Sequence, residues 1–476
     1  MTAPSKLLLI YTCAFLGGCI TQAPAPPQQD IIPSAFDMAS VRGGQWPAQE
    51  WYRDFGSEEL DAFIDTAAKA NSDLGAARAR VAQADARARQ AGSAILPTID
   101  GNGTANYFSG HSSQGGGHEF DWAAMLSASY EVDFWGKNRA TAESARLLAG
   151  ASRAERDAIA LTTLAGVADG YFQLLALRER LVVAQSNRGA AKQLLEVVQA
   201  RFDAGLASPI DLATQRAAFD AAQIAISDLQ QTEFEARTAL SLLLGRAPEQ
   251  FEVKGQPLDS LREPTVGAGL PSELLTRRPD VLLAETNLRA AHADLVAARA
   301  AMFPSLSLTA SGGVQNPALP ATVLTIAGIG PSFALGANLV QPIFDHGKLK
   351  AQREEVQARN LELLSAYRAS IISSLNDVEN TLAAIQHLNQ AREYQLENVT
   401  QSERAFEGAK VRYQAGSVDF LTLLEAQRTV YAARDQFIQY KLARLQALVG
   451  LGKALGGGWK GPGESAAGQA TTRNTD

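Results

Sequence analysis

The chain has 476 residues, with 50 acidic against 43 basic side chains and a formal net charge of −7. That acidic balance argues against nucleic acid as a partner, and the length leaves room for two or three domains. The two cysteines, Cys13 and Cys19, both fall at the amino terminus, which leaves no disulfide or cysteine-based metal site to expect in a processed chain.

Met1 to Lys6 carries a single positive charge, and Leu7 to Phe15 is apolar but too short to span a bilayer as a helix. Leu16-Gly17-Gly18-Cys19 then places small residues just before a cysteine. This is the pattern of a bacterial lipoprotein signal. Residues 1–18 are removed, and Cys19 becomes the lipidated amino terminus. Residues 19–33, with Pro24, Pro26 and Pro27, read as a tether between lipid and folded body.

The remainder is duplicated. Trp135-Gly136-Lys137 aligns with His346-Gly347-Lys348, and Arg201-Phe202-Asp203-Ala204-Gly205 aligns with Arg412-Tyr413-Gln414-Ala415-Gly416, both at an offset of 211 positions. Upstream, Leu96-Pro97 pairs with Phe303-Pro304. The first repeat, residues 34–244, is expected to hold a helix, a strand pair over 95–108 and 120–135, a long helix over 137–201, a tip turn and a return helix over 209–244. Residues 245–270 read as an inter-repeat, equatorial linker. The second repeat, 271–455, is expected to follow the same series, with strands over 304–315 and 331–344, a long helix over 347–412 and a return helix over 419–451. Residues 456–476 read as a flexible tail.

The strand segments alternate with period two. In the second one, Phe120, Trp122, Ala124, Leu126, Ala128, Tyr130, Val132 and Phe134 alternate with Asp121, Ala123, Met125, Ser127, Ser129, Glu131 and Asp133. Ile99, Gly101, Gly103, Ala105 and Tyr107 against Asp100, Asn102, Thr104 and Asn106 make the first. The second repeat has Leu306, Leu308, Ala310 and Val314 against Ser305, Ser307, Thr309 and Ser311, and then, more weakly, Phe333, Leu335, Ala337 and Leu339. One face suits lipid and the other water, with interfacial aromatics such as Tyr107, Trp122 and Trp135, as in a transmembrane β-barrel. His111 and His118 flank Gly115-Gly116-Gly117, which reads as an extracellular loop.

The long helices carry a seven-residue ladder: Val167, Leu174, Leu181, Arg188, Leu195 and Phe202, and again Val378, Ile385, Arg392, Val399, Phe406 and Tyr413. Such a repeat means coiled-coil-like packing. The two arginines interrupt it as residues facing a wet lumen or a neighbouring carboxylate would. A Gly just past each long helix, Gly205 and Gly416, suits a left-handed reversal, and Pro209 suits the first turn of the helix that follows.

An open sheet edge cannot sit in lipid, and four strands are too few for a single-chain barrel. Several copies must close one, two giving eight strands and three giving twelve, and the strand count leaves both open. His-Glu-x-x-His, Gly-x-Ser-x-Gly and Cys-x-x-Cys are absent, and Gly450-Leu451-Gly452-Lys453 lacks the spacing of a phosphate loop, so an enzyme is not expected. A periplasmic spacer lipoprotein accounts for the heptads but needs no alternating strands.

The lipobox, the two Pro-initiated strand starts, Asp133-Phe134-Trp135-Gly136-Lys137 and the twin tip turns, in the same order twice, resemble the outer membrane factor family. The likeness is to its TolC- and OprM-like members, particularly the lipidated NodT-type branch, and covers Cys19 to about Leu455. It implies an α+β membrane protein. A homotrimer would share one twelve-stranded transmembrane β-barrel, four strands per chain, above a long periplasmic α-helical coiled-coil barrel. It would be a passive exit duct in the outer membrane for small molecules such as drugs or other toxic compounds. The implied partners are a periplasmic adaptor, an inner-membrane pump of the proton-driven RND class and outer-membrane lipid. No cofactor is implied beyond the covalent lipid on Cys19, and a duct for type I protein secretion is the alternative with the same fold.

By the same resemblance, Arg201, Phe202, Gly205, Ser208, Arg412, Tyr413, Gly416 and Ser417 meet the adaptor. Asp419 and Glu425 supply carboxylates to a periplasmic gate, as acidic rings do in channels generally, and Tyr413 matches a gating tyrosine. Thr422 and Val418 depart from the TolC pattern of gating residues. A carboxylate at a helix start is also stabilised by the helix dipole, a reading open to both Asp419 and Glu425. The signal sequence yields the first test: a Cys19→Ala protein should lose labelling by radioactive palmitate, and persistent labelling would exclude Cys19 as the lipid site.

Overall fold

The computed structural model describes residues 32–37, 47–48, 50–112, 115–264, 269, 271–315, 319–320, 330–457 and 459. The signal peptide, Cys19, most of the tether and the tail beyond residue 459 lie outside the described residues. The elements in chain order are α1 (Glu58–Ala70), α2 (Ser72–Ser93), β1 (Thr98–Ser112), β2 (Gly115–Val132), α3 (Lys137–Asp203) and α4 (Pro209–Leu243). There follow α5 (Leu274–Arg277), α6 (Pro279–Ala300), β3 (Ser305–Gln315), a short β4 (Leu319–Pro320), β5 (Gly330–Val340), α7 (Lys348–Gln414) and α8 (Phe420–Ala454). α3 and α7 each have 67 residues, about 100 Å at 1.5 Å per residue, and α4 and α8 each have 35.

The chain divides into two units, one built on Ala82–Ala151 and Ala284–Arg368, the other on Asp30–Val81, Ser152–Leu283 and Ala369–Asp476. The interleaving follows from the duplication, since each repeat sends one pair of strands into the first unit and returns.

In the strand unit the order is β1-β2-β3-β5, antiparallel throughout, with β4 paired to β2 off that path. The register carries the alternation across all four long strands. Ile99, Ala128, Ala310 and Leu335 form one row, and Gly101, Leu126, Gly312 and Phe333 the next row on the same face. The opposite face has rows such as Thr98, Ser129 and Thr309, or Glu131, Ser307 and Asn338. On the apolar face Ile99, Leu126, Phe333, Leu335 and Leu339 are all exposed in the single chain.

The strands differ in extent from the sequence reading. β1 and β2 run further, pairing Gly110 with Gly117 and His111 with Gly116, so the Gly-rich stretch continues the hairpin instead of forming a loop. At the other end β1 starts after Pro97, whose ring nitrogen has no hydrogen to give the ladder. β2 stops at Val132, because the Asp133 carboxylate turns back to accept from the Asn138 and Arg139 amides at 3.1 and 2.9 Å and starts α3. Asp345 does the same for α7, accepting from the Gly347 and Leu349 amides at 2.9 Å each. Trp135 fixes the first of these corners by stacking on Phe303 at 4.7 Å and donating to the Pro304 carbonyl at 2.8 Å.

In the helical unit the main core collects Phe55, Leu60 and Ile64, the middle of α3 (Val167, Tyr171, Phe172, Leu174), the end of α4 (Leu240, Leu244) and α8 (Leu445, Val449). The apolar composition of α3, long enough to cross a membrane by length and composition, is used in this packing. The equatorial segment closes the core with Phe251, Val253, Leu258 and Leu261. It is fastened from outside by ion pairs from Asp259 to Lys441 and from Glu263 to Arg392, both at 2.7 Å, and from Glu263 to Arg444. Arg392, one of the two breaks in the ladder, thus finds a carboxylate, whereas Arg188 is exposed.

Of the expected flexible tail, residues 456, 457 and 459 are described, and each is held by definite contacts or backbone geometry. Gly456 and Gly457 adopt positive φ, and a Cβ at Gly456 would lie 2.1 Å from the Arg277 carbonyl oxygen. Only glycine fits that approach. Beyond it, the Trp459 ring nitrogen donates to Asp157 at 3.0 Å.

Asp169 on α3 has one carboxylate oxygen buried without a hydrogen-bond partner. Burial pushes its pKa from 3.8 up to about 6, against a lowering influence from Lys453. Because the folded state holds the proton more tightly than the unfolded chain, the penalty from Asp169 is absent below pH 3.8 and grows as pH rises towards 6. The full penalty, about 3 kcal/mol at 1.36 kcal/mol per unit, applies above that range. Asp169→Asn should therefore stabilise the protein at pH 8 and change little at pH 4, as read by chemical denaturation at the two pH values; equal effects at both would exclude the buried charge as the cause.

Candidate functional site at the helix tips

The helix-turn-helix reversals between α3 and α4 and between α7 and α8 have one geometry. After α3, the Leu206 amide donates to the Arg201 carbonyl at 2.7 Å and the Gly205 amide to the Phe202 carbonyl at 2.9 Å. After α7, the Ser417 and Gly416 amides make the same pair of bonds to Arg412 and Tyr413 at 2.9 and 3.0 Å. Gly205 and Gly416 both sit at φ 74, the left-handed conformation of a Schellman cap.

The return helices start differently. Ser208 and Asp211 form a capping box around Pro209, with reciprocal bonds of 3.0 and 3.1 Å. Asp419 alone caps α8, accepting from the Thr422 amide at 2.8 Å and from the Thr422 hydroxyl at 2.5 Å. The Thr422 hydroxyl bond, foremost, and then the amide bond hold the Asp419 carboxyl below the usual carboxylate range.

These facts separate the two expected gate carboxylates. Asp419 is a helix-start residue turned back onto Thr422. Glu425 lies on the exposed face of α8 with Leu421, Thr422, Arg428 and Thr429, while Phe420, Leu423, Leu424, Gln427 and Val430 are buried. Thr422, the departure from the TolC pattern, is therefore the residue that engages Asp419. Val418 is half-buried and packs with the apolar cluster at the tip.

That cluster is built from Val198, Leu212, Ala409, Tyr413, Phe420, Leu423 and Leu424, with Phe202 and Phe406 packed against it. Tyr413 is buried within it, and burial pushes its hydroxyl pKa up. Arg201 joins the two turns. Its Nη1 donates to the Tyr413 carbonyl at 3.1 Å, and its guanidinium lies 4.8 Å from the centre of the Tyr413 ring. Arg201, Phe202, Tyr413 and the two glycines are thus brought together, Ser208 is used as a cap, and Arg412, Ser417 and Asp419 remain exposed. Sequence reasoning missed the exposed apolar side chains Leu206, Ile210, Val411 and Leu421 at the same end. Their signal is apolar residues beside a Gly turn, outside the heptad ladder.

In the strand unit, β1 and β5 are the sheet edges, and each lacks a strand partner on its outer side among the described residues. Backbone groups left open there, beside a continuous apolar face, need further strands if the sheet sits in lipid. No group of metal-ligating side chains occurs among the described residues.

Two segments, residues 63–246 and 270–457, match the family described as outer membrane efflux protein, one segment in each repeat. The chain is 41% identical over 466 residues to the pyoverdine export outer membrane protein OpmQ of Pseudomonas aeruginosa, covering 96% of this chain and 97% of that one. Among solved structures it is similar to the outer-membrane channel OprN, with a TM-score of 0.83 at 25% identity over 92% of this chain and 99% of that one. It is also similar to the open state of the Neisseria gonorrhoeae MtrE outer membrane channel, with a TM-score of 0.81 at 29% identity over 92% and 98% of the two chains. The family is one of channels, not of enzymes. A duplicated chain with a lipid-facing sheet, twin helical reversals and these relatives belongs to the outer membrane efflux protein family and is a channel of the outer membrane with the TolC-like fold.

Proposed function

We propose that three copies of this chain close one twelve-stranded barrel and form the exit duct of a tripartite efflux system, anchored by lipid at Cys19. A periplasmic adaptor meets the turns at Arg201–Ser208 and Arg412–Ser417, and an inner-membrane pump supplies the energy, its RND class being carried by family resemblance. The observation that supports this best is the four-stranded sheet with one apolar face and two unpaired edges. The similarity to OpmQ supports a secreted metabolite of the pyoverdine kind as cargo, and a duct for type I protein secretion is not favoured. Native mass measurement in detergent should give a trimer, and a stable membrane-inserted monomer would refute the architecture. Adaptor and pump are identified by crosslinking in cells and mass spectrometry of what is bound.

We assign the acidic ring of the gate to Glu425, because its side chain is on an open helix face while the Asp419 carboxylate is occupied by Thr422. Three copies of Glu425 near one axis attract cations into the constriction. Glu425→Gln should lower cation selectivity and weaken block by divalent cations in planar-bilayer recordings. Asp419→Asn, which keeps a capping side chain, should leave both closer to the unchanged protein. The reverse ranking would move the ring to Asp419.

A further inference from the structure

The two tip turns are equivalent by duplication and by hydrogen bonding, yet the contact between them runs one way. Arg201 of the first turn reaches the carbonyl and ring of Tyr413 in the second. Its counterpart Arg412 is exposed, and its side chain makes no ion pair or hydrogen bond with the described residues. The counterpart of Tyr413 is Phe202, whose carbonyl accepts from the Gly205 amide alone among the described residues, while that of Tyr413 accepts from both the Gly416 amide and Arg201. A backbone carbonyl has two lone pairs, so Phe202 keeps one acceptor position open.

A donor on one unit reaching an acceptor on the next, with the reverse contact unmade, is a head-to-tail arrangement. Such contacts leave one donor and one acceptor unused at the ends of each chain, and repetition closes them into a ring when the rotation permits. We propose that Arg412 makes, on Phe202 of the partner subunit, the contact that Arg201 makes on Tyr413 within the chain: a hydrogen bond to the carbonyl and a guanidinium stacked on the ring. This rests on the trimeric reading above. Six turns then form a continuous belt, three contacts within chains alternating with three between them.

The local chemistry suits the contact. The backbone that presents Phe202 is the Schellman turn that presents Tyr413, so the same approach is open to a guanidinium. The residue after Phe202 is Asp203, exposed, where the residue after Tyr413 is Gln414. An arginine arriving at Phe202 therefore also meets a carboxylate, in the planar, multi-donor geometry that arginine serves and lysine does not. The belt is complete only when the six turns stand equivalently around the axis, so the contacts between chains mark one arrangement of the tips, and those within chains do not.

The test uses the full-length protein in outer membranes with Asp203→Cys and Arg412→Cys together, both exposed positions that leave the tip cluster intact. A short thiol-specific crosslinker should give covalent dimers and trimers on denaturing gels, and either single variant should give none. Native mass is measured on the same preparation. A trimer without interchain product overturns the proposed contact and leaves the assembly standing, whereas a monomer overturns the trimeric reading itself. As a second measurement, Arg412→Ala should lower the temperature at which the trimer dissociates in detergent, with Arg412→Lys only partly restoring it, and Arg201→Ala should have little effect. An unchanged dissociation temperature in Arg412→Ala would also overturn the proposal.

Discussion

A bilayer interior offers no hydrogen-bond partner to a peptide group, and the strand unit is organised by that constraint. Every strand residue that faces lipid can be apolar, but the backbone of an edge strand cannot be made so. With β1 and β5 open on their outer sides, the sheet is a fragment of something closed. In the proposed assembly the remedy lies in further copies of the chain, which would make quaternary structure a consequence of backbone chemistry. Side-chain preference decides only which face is turned outward. Here the cross-strand rows settle it, because a one-residue slip in any of the three pairings would bring polar partners such as Ser127, Asp100 or Ser311 opposite Ile99, Leu126 or Leu335.

The helical unit answers a different problem. Two helices of 67 residues cannot be stabilised by propensity alone, and their burial is uneven. Around Val167 to Ala176 the packing includes α1, the end of α4, the equatorial segment and α8. Nearer the tips, open grooves of 320 and 190 Å³ lie beside α3 and α7, both lined by Phe406 and Lys410. The middle of α3 is thus the dense belt of the helical unit, and the tips hold a second, separate cluster. The Glu263 pairs with Arg392 and Arg444 strengthen the belt at its surface, where single exposed ion pairs would count for little but a shared carboxylate links two helices to one segment.

Much of this was legible in the sequence. Period-two alternation located all four long strands and their lipid face, the seven-residue ladder located α3 and α7, and Gly205 and Gly416 located the reversals to the residue. The misplacements have physical causes. Gly115 to Gly117 reads as a loop because glycine favours turns, but glycine also pairs in a ladder when the hairpin simply continues. The tail was expected to loosen at Gly456, yet a glycine pair can equally be what allows the backbone to press against the Arg277 carbonyl. Spacing could not show that Asp419 would bend onto Thr422, since a cap depends on the backbone angles of the residue before the helix. Nor could the exposure of Leu206, Ile210 and Leu421 be read, because apolar residues near a turn are as often buried beneath it.

Duplication leaves the two tips alike in backbone and unlike in side-chain contacts. Two copies of one turn start with the same arginine, the same aromatic position and the same glycine, and a symmetrical pair would satisfy both arginines within the chain. Instead the pairing is polar, from Arg201 to Tyr413. The two return helices also start on different caps, a Ser208 and Asp211 box against Asp419 with Thr422. In the box the Asp211 carboxylate accepts from the Ser208 amide while the Ser208 hydroxyl oxygen accepts from the Asp211 amide, so cap and acid are two residues. A lone aspartate cap leaves an ionised carboxylate at the surface, stabilised by the amino end of the helix. Each helix start thus carries one aspartate, and the second repeat adds the exposed Glu425 where the first has Thr214. In the proposed trimer the backbone of the turn would recur six times and Glu425 three times, so this carboxylate would follow the chain and not the repeat.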